Sequence, residues 1–297
     1  MHSTEQTTAL ARWLAEVRDH FVTVATELLP LFDIYAAEAL FGRCYIDADL
    51  KLLCPGAKVL EVGAGSLLLS CQLMREGFDV TALEPTGDGF THFHQMREMV
   101  LNKARFQKCC PTILDLPAEK LDMVNRYDYA FSVNVMEHVD DVAMVLDAVG
   151  KSLADGASYR FTCPNYLFPY EPHFNIPTLF SKKLTERMLG GKIFRSHRVP
   201  DPAGTWKSLN WINVVQVGRC VRRASGLRVT FNRSMLVTTL GRMVSDPSFA
   251  ARRSPCVRRF LSGLVRLRMH YLLGFVPARF QPIIDCRVEK ISATGIC

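Results

Sequence analysis

The sequence of 297 residues contains no apolar run long enough to cross a membrane. A spanning helix needs about 20 consecutive, mostly apolar residues, and no stretch here reaches even about 18 without a charge. The first 20 residues are polar and amphipathic, and they lack the apolar segment of a secretion signal. We therefore expect a cytoplasmic protein.

Cysteine is present, but not in the spacings that usually carry structure. None of the ten cysteines forms a CxxC pair, and only Cys109 and Cys110 are adjacent. Disulfide frameworks are typical of short secreted chains, and zinc sites need closely spaced ligand pairs. The sequence therefore predicts neither a disulfide framework nor a cysteine-bound zinc ion.

Acidic residues are absent between Asp246 and Asp285, where seven arginines occur. Without these seven, the chain has 29 basic and 29 acidic residues, so the segment carries the whole net charge of +7. Arginines mixed with apolar residues over 252–280 favour contact with an anionic membrane surface, on the inner face. RNA is a weaker alternative, because the aromatics form no obvious stacking platform. The third alternative is a lid helix with solvated or paired arginines.

Most of the chain alternates between strand and helix patterns. This alternation predicts an α/β fold, a seven-stranded, mostly parallel, Rossmann-like sheet with helices on both faces. The final strand is expected to be antiparallel. The predicted strands cover 57–62, 78–84, 111–114, 127–134, 157–165, 227–232 and 283–293.

The elements flanking the sheet suggest four divisions of the chain. Residues 1–54 read as a helical extension, with helices over 5–29, 33–41 and 47–53. The core follows over 55–235, and its Pro- and aromatic-rich connection 164–210 is the expected acceptor loop, with one helix near 177–189. Residues 236–282 form a basic helical insert or lid, with a helix near 256–273, and 283–297 return to the sheet.

The first strand runs into a glycine turn, "VLEVGAGS". Gly63 and Gly65 permit positive φ and close approach of a ligand to the backbone. Glu84 ends the next strand, where nucleotide-binding folds place an acid on the ribose hydroxyls. A dinucleotide turn needs a third glycine where this chain has Leu68, and Glu61 would repel a pyrophosphate. An NAD-type oxidoreductase is therefore the weaker alternative, and Glu61 suits an amino group and a sulfonium.

These residues resemble class I S-adenosylmethionine-dependent methyltransferases, and in particular the ubiquinone-biosynthesis and related small-molecule branch. The order and spacing of the motifs match the family from about 57 to 165. The family normally has a further glycine where this chain has Leu67. The matching segments are "VLEVGAGS" (59–66), "VTALEP" (80–85), "LPAEKL" (116–121) and "YDYAFSVNVMEHVDD" (127–141).

The resemblance implies S-adenosylmethionine as the cofactor and assigns residues to its parts. It implies that Glu61, Gly63 and Gly65 contact the methionine moiety and that Glu84 binds the ribose hydroxyls. It also implies that Ala118 and Glu119, after the third strand, lie beside the adenine. Asn134, after the fourth strand, is implied to close the site.

A metal ion is not expected from the motif after the fourth strand. In some relatives an additional glutamate three residues before Glu137 joins the Glu137–His138 pair to bind a divalent ion. This chain has Asn134 at that position, and two ligands alone make a poor site. His138 is either a general base or a histidine that bonds to backbone at the start of a helix.

The segment "CPNYLFPYEPHFNIP" (163–177) follows the fifth strand, at the end where ligands bind in open α/β sheets. We predict His173 as the general base for an acceptor hydroxyl, with a loop-fixing histidine as the alternative. Similar segments occur in bacterial methyltransferases of unassigned acceptor. The expected acceptor contacts are Asn165, Tyr166, Tyr170 and Glu171.

The sequence thus favours a methyltransferase that acts on a small-molecule or lipid-linked acceptor. In-line transfer to oxygen is the preferred reaction, because a base matters more for a hydroxyl than for an amine. A non-catalytic protein that binds S-adenosylmethionine or a partner remains a second alternative. The oligomeric state is left open.

Overall fold

The computed structural model describes residues 2–85, 91–199, 201–245 and 255–292. Seven strands and ten α-helices are present in this part of the chain. The strands are β1 Lys58–Val62, β2 Asp79–Leu83, β3 Thr112–Leu114, β4 Tyr127–Val133, β5 Leu153–Pro164, β6 Leu227–Phe231 and β7 Ile283–Lys290. The helices are α1 His2–Val24, α2 Leu29–Leu50, α3 Leu68–Arg75, α4 Thr91–Phe106, α5 Val142–Ser152, α6 Lys182–Phe194, α7 Pro202–Ser208, α8 Val214–Arg223, α9 Met235–Ser245 and α10 Pro255–Arg266.

The seven strands form one sheet in the order β3-β2-β1-β4-β5-β7-β6. β1 pairs in parallel with β2 and β4, and β2 pairs in parallel with β3. The sheet is mostly parallel, with its last strand antiparallel, which confirms the predicted fold class. Parallel pairing brings the carboxyl ends of β1, β2 and β4 to one edge, so the residues that follow these strands lie on the ligand-binding side.

The chain divides into two compact units. The first comprises residues 1–135, 143–160 and 289–297, and the second comprises 136–142 and 161–288. The basic insert predicted over 236–282 belongs to the second unit, as do the helices that precede it. Residues 252–254 of the arginine-rich segment, residue 293 of the predicted last strand and residues 294–297 after it lie outside the described residues.

In the first unit, α2 is one continuous helix, so the separate helices predicted over 33–41 and 47–53 were wrong. Pro30 lies in its first turn, where the missing N–H leaves no hydrogen bond unmade. The helix is tied down by Asp49, which accepts bonds from Arg160 at 2.9 Å and from the Tyr129 hydroxyl at 3.0 Å. Arg160 also lies over the Tyr45 ring, 4.2 Å from its centroid.

In the second unit, the connection after β5 holds more helix than predicted, because α7 follows α6. Helix α9 was not predicted, and the helix expected over 256–273 ends at Arg266. Arg268 adopts a left-handed conformation with φ 59°, which cannot continue a helix, and a 3-10 segment Met269–Phe275 follows. The packing of α9 on this region surrounds Leu240 with apolar side chains, namely Leu236, Leu261, Val265 and Leu273.

Within the described ranges, every helix is too short or too polar to cross a membrane.

Candidate active site

The glycine turn after β1 is set by backbone conformation and by close packing. Gly63 has φ 74° and Gly65 has φ 49°. A side chain at Gly63 would place its Cβ only 2.3 Å from a methyl carbon of Val135. The Gly63 N–H donates to the Leu83 carbonyl at 2.8 Å, which ties the turn to the end of β2. Glycine is therefore required at position 63 for two independent reasons.

Leu67 occupies the position for which the family resemblance implies a further glycine. It adopts the left-handed conformation that glycine would accept readily, with φ 66° and ψ 6°, immediately before α3. Its side chain is fully buried. The turn therefore keeps its glycine-like shape, and burial of the leucine offsets a left-handed strain of about 1–2 kcal/mol.

Glu61 is buried in β1, where it lies between Ala82 of β2 and Phe131 of β4. The Ser70 hydroxyl donates a short hydrogen bond to its carboxylate. Burial, opposed by the hydrogen bond from Ser70 and assisted by the charge of Glu84, raises the pKa of Glu61 to about 8. A buried carboxyl of this kind becomes ionised most favourably when a cation binds beside it.

Glu84 follows β2 and accepts a hydrogen bond from the Gly65 N–H at 2.9 Å through Oε2. Oε1 lies 3.9 Å from the Arg97 guanidinium. Burial raises the pKa of Glu84, while the Gly65 N–H and Arg97 lower it. The carboxylate thus holds the glycine turn in place.

Tyr35 of α2 is a residue that the sequence reasoning missed. Burial, followed by the charges of Glu38 and then Glu84, raises the pKa of its phenol. No motif marks Tyr35, because residues 51–57 and β1 separate α2 from the glycine turn.

The remaining cofactor candidates lie in the same unit. Ala118 is buried at the start of a short 3-10 turn, Ala118–Lys120, and Glu119 is half-buried in it. Asn134 follows β4 in a left-handed conformation with φ 55° and is exposed. We call Glu61, Gly63, Gly65 and Glu84 the cofactor cluster. Its two carboxylates and open backbone turn fit a ligand with a positive charge and neighbouring hydroxyls, such as S-adenosylmethionine.

In the second unit, Glu171 is fully buried and organises the segment after β5. Its Oε1 accepts from the His173 backbone N–H at 3.1 Å and lies 2.6 Å from His173 Nδ1. Its Oε2 accepts from the Phe174 N–H at 2.7 Å, and its backbone pairs with Ile176. Glu171, predicted as an acceptor contact, therefore positions His173 through these bonds.

The polar side chains of the other predicted acceptor contacts form hydrogen bonds within the protein. The buried Asn165 amide donates to the carbonyls of Ala278, Arg279 and Gln281, at 3.3, 3.2 and 2.8 Å. The Tyr166 hydroxyl donates to Glu171 at 3.3 Å, and burial raises its pKa. Tyr170 is half-buried and bonds to Asn175 at 2.7 Å. Tyr170 is thus the most accessible of the four predicted contacts.

His138 lies beside His173, with 5.4 Å between the ring centroids. Its Nδ1 is 2.8 Å from the Ser208 hydroxyl. Burial, followed by the nearby His173, lowers the pKa of His138 to about 4, so the imidazole is neutral near pH 7. One ligand atom from each of Glu137, His138 and His173 lies within 4.8 Å of the others. We call these three residues the histidine cluster.

The turn that carries Glu137 and His138 is held by Asn210, which the sequence reasoning also missed. The Asn210 amide donates to the carbonyls of Met136 and Val139, both at 2.8 Å, and its backbone N–H donates to the Glu137 carbonyl at 2.8 Å. Because Asn210 follows α7, more than 70 positions after the turn, no local pattern could have revealed this clamp.

An aromatic stack extends through the same unit. Trp211 stacks on Tyr166 with ring centroids 4.3 Å apart, and it meets Trp206 edge to face at 5.5 Å. Trp211 has φ 63°, which is strained for a bulky side chain. Phe174 packs edge to face against Trp206 at 5.7 Å. The stack supports both the Glu171 segment and the Asn210 clamp.

Comparisons with known proteins agree with this geometry. Residues 39–216, more than half of the chain, match the family model described as "Methyltransferase domain". An uncharacterized protein of Mycobacterium tuberculosis is 48% identical over 278 residues, which cover 94% of this chain and 94% of that protein.

Two further similarities are more distant. A ubiquinone biosynthesis O-methyltransferase of Psychrobacter cryohalolentis is 30% identical over 122 residues, covering 38% of this chain and 45% of that enzyme. An S-adenosylmethionine-dependent methyltransferase from Mesorhizobium loti superposes with a TM-score of 0.51 at 13% identity, covering 82% of this chain and 96% of that one. At such identity the second likeness concerns the fold alone.

Proposed function

Because the chain belongs to the Methyltransferase domain family, we propose that it transfers a methyl group from S-adenosylmethionine to a hydroxyl oxygen of a small-molecule or lipid-associated acceptor. The predictions of a class I methyltransferase and of this cofactor are confirmed. The observation that carries the proposal is the pair of carboxylates, Glu61 and Glu84, at the ends of adjacent parallel strands around a glycine turn.

We propose that the cofactor cluster binds S-adenosylmethionine as follows. Glu61 faces the positively charged methionine part, and the backbone of Gly63 and Gly65 lies alongside it. Glu84 keeps one oxygen on the Gly65 N–H and offers the other to the ribose hydroxyls. Near the adenine and at the closure of the site, the proposed residues are Ala118, Glu119 and Asn134.

Reaction at oxygen is favoured by the two imidazoles of the histidine cluster, since burial lowers the pKa of His138 to about 4. A hydroxyl acceptor loses a proton as the methyl group arrives, and a neutral imidazole can accept it. Glu171 orients His173 through Nδ1, which leaves Nε2 for this role. We propose His173 as the base and His138 as its neighbour within the acceptor site, with Tyr166 and Tyr170 lining it.

A lipid-associated acceptor is favoured by the surface of α10 and the 3-10 segments after it. One side of this region packs on α9, while the other leaves Phe260 66% exposed, Leu267 72% and Phe275 77%. The arginines of the same stretch would attract anionic headgroups. We therefore propose peripheral contact with the inner face of the membrane, in a cytoplasmic protein. Flotation with liposomes containing phosphatidylglycerol should recover the protein at the top of a gradient, whereas recovery only at the bottom removes the membrane contact.

Calorimetry with S-adenosylhomocysteine and with NAD separates the alternative functions. We expect heat of binding with the former and none with NAD. Glu84→Ala should weaken S-adenosylhomocysteine binding by about 1–3 kcal/mol, because a bond between a charged group and the ribose is lost. Unchanged affinity would remove Glu84 from the site. A protein that binds the cofactor, but transfers no radiolabelled methyl group to any fraction of a cell extract, would be the non-catalytic alternative.

A further inference from the structure

We infer that the histidine cluster, Glu137, His138 and His173, binds a divalent transition-metal ion. The three side chains come from two distant parts of the chain, the turn after β4 and the segment after β5. One ligand atom from each lies within 4.8 Å of the others, and Glu137 is fully buried. An ion about 2.1 Å from each ligand atom needs ligand atoms roughly 3–4 Å apart, so a small side-chain movement completes the site.

The hydrogen bonds of His138 leave Nε2 as its metal-binding nitrogen. Ser208 Oγ donates its single proton to the Thr205 carbonyl at 2.9 Å. The hydroxyl must therefore accept from His138 Nδ1, 2.8 Å away, and this nitrogen carries the ring proton. Nε2 then presents a lone pair, which is the form of imidazole that coordinates a metal ion.

His173 also has its Nδ1 occupied by a hydrogen bond, in this case to Glu171. Its Nδ1 lies 2.6 Å from Oε1 of the buried Glu171, which also accepts the His173 backbone N–H. A carboxylate that takes these bonds acts as an acceptor, so Nδ1 carries a proton and Nε2 is the nitrogen that would bind the ion, releasing its own proton if it holds one. A carboxylate or hydroxyl on the far nitrogen of a ligand histidine is the usual support of metal sites.

Both segments that carry the ligands are held by the protein itself. Asn210 fixes the turn from Met136 to Val139 through three hydrogen bonds of 2.8 Å. Glu171 fixes His173 and pairs through its backbone with Ile176. An ion would therefore meet ligands that are already ordered, and its binding would require little further loss of conformational freedom.

The coordinating atoms of the three side chains determine which metal ions the site can bind. Two imidazole nitrogens and one carboxylate oxygen suit Zn²⁺, Fe²⁺ or Mn²⁺, and they leave further coordination positions open. Mg²⁺ prefers oxygen ligands throughout and is a poor match. The sequence argued against a metal because position 134 is asparagine, but the third ligand of this site comes from position 173, far from the motif.

The inference deepens the proposed function. Binding of the ion does not depend on that function, whereas the role proposed for the ion in the reaction rests on it. A bound cation supplies positive charge that favours the deprotonated form of an acceptor hydroxyl. In that form of the protein, His173 and His138 hold the ion; in the metal-free form, His173 remains the proposed base.

The test uses full-length protein purified without a histidine tag and stripped with a chelator. Titration with Co²⁺ should produce visible absorption bands that saturate at one equivalent, and Zn²⁺ should displace them. Mg²⁺ should not displace them. Absence of these bands, displacement by Mg²⁺, or only the near-ultraviolet bands of a cobalt–thiolate complex would overturn the inference, because the last would mean that cysteines bind the ion.

Variants locate the ion. Glu137→Gln, His138→Gln and His173→Gln should each weaken Co²⁺ binding at least about tenfold, and Glu171→Gln should weaken it by about 10–100-fold. His197→Ala, which removes an exposed histidine outside the cluster, is the matched control and should bind as the parent does. Equal affinity in the three ligand variants and the parent would overturn the inference.

S-adenosylhomocysteine binding, measured on the same samples, reports on folding and on the proposed function separately. If cofactor binding persists without any metal binding, the metal inference is overturned and the methyltransferase proposal stands. If the parent binds the metal but not S-adenosylhomocysteine, the proposed use of the cofactor is overturned instead. A histidine variant that loses both is replaced by His138→Asn or His173→Asn, and the remaining variants then decide the outcome.

Discussion

The cofactor cluster and the histidine cluster are built in contrasting ways. The first is assembled by a single turn and the end of the neighbouring strand, from Glu61 to Glu84, and its bonds follow the order of the chain. The second joins the turn at Glu137, the segment at His173 and the clamp at Asn210, which are far apart in sequence. Local backbone geometry therefore determines the first cluster, whereas side-chain networks determine the second.

The largest effect should come from filling the glycine turn. Gly63→Ala adds a Cβ 2.3 Å from Val135 and a left-handed strain, together roughly 2–5 kcal/mol. We expect S-adenosylhomocysteine affinity to fall by about 100-fold in calorimetry. Gly56→Ala is the matched control, because it has φ 78° with no atom within 4 Å, and it should leave affinity unchanged. Adding Val135→Ala should restore part of the loss; equal affinity of Gly63→Ala and parent would contradict this account of the turn.

The second prediction concerns the network of the histidine cluster. Asn210→Ala removes the amide bonds to Met136 and Val139 and should destabilise the protein by about 1–3 kcal/mol in urea unfolding. S-adenosylhomocysteine affinity should stay within about twofold, since the cofactor cluster has its own bonds. The exposed Asn102→Ala is the control and should change stability by less than about 0.5 kcal/mol. A large loss of cofactor affinity in Asn210→Ala would break the contrast between the clusters.

The third prediction follows from the pKa of Glu61, which burial raises to about 8. A cationic ligand needs the carboxylate, so below pH 8 the binding of S-adenosylmethionine must first release a proton. Affinity should therefore rise by up to about tenfold per pH unit toward pH 8 and level off above it. The folding stability of the ligand-free protein should change with pH in the opposite direction to the affinity. The raised pKa of Glu61 favours the folded state at low pH, and this contribution is lost as the pH rises through 8. Calorimetry over pH 6 to 9 measures the slope, and Glu61→Gln should abolish it.

The smallest effect concerns Leu67. Leu67→Ala and Leu67→Gly both lose the buried side chain, but only glycine relieves the left-handed φ of 66°. The glycine variant should therefore be more stable than the alanine variant, by about 1 kcal/mol in chemical denaturation. At Leu73, buried within α3, the order should reverse by a similar amount, because glycine is the poorer helix former. The same order at both positions would mean that strain at Leu67 is unimportant.

Prediction from sequence succeeded where neighbouring residues carry the structure. The seven strands of the sheet follow from their sequence patterns, and the glycine turn follows from its motif. It failed at α2, where one helix of 22 residues, with Pro30 in its first turn, replaces the two helices predicted over 33–41 and 47–53. It also failed at α9, and at the break in the helix after Arg266, because packing around Leu240 decides those elements.

Roles on the acceptor side were harder to predict for a physical reason. A sequence shows that Asn165 and Glu171 are polar, but not whether their polar atoms are already used. In the fold, Asn165 bonds to three carbonyls of the 278–281 turn, and Glu171 bonds to His173 and Phe174. Ser208 and Asn210 gain their importance only from contacts with residues some 70 positions earlier.

The sequence by itself determined the sheet, the glycine turn with its two acids, and the family, because these depend on short-range periodicity and on conformations that few residues can adopt. Only the tertiary structure decided that Leu67 takes a glycine-like conformation, that Glu171 positions His173, and that His173 joins Glu137 and His138. Those features depend on which distant groups share a buried space, where each hydrogen-bond donor needs an acceptor, and residue order along the chain does not specify that pairing.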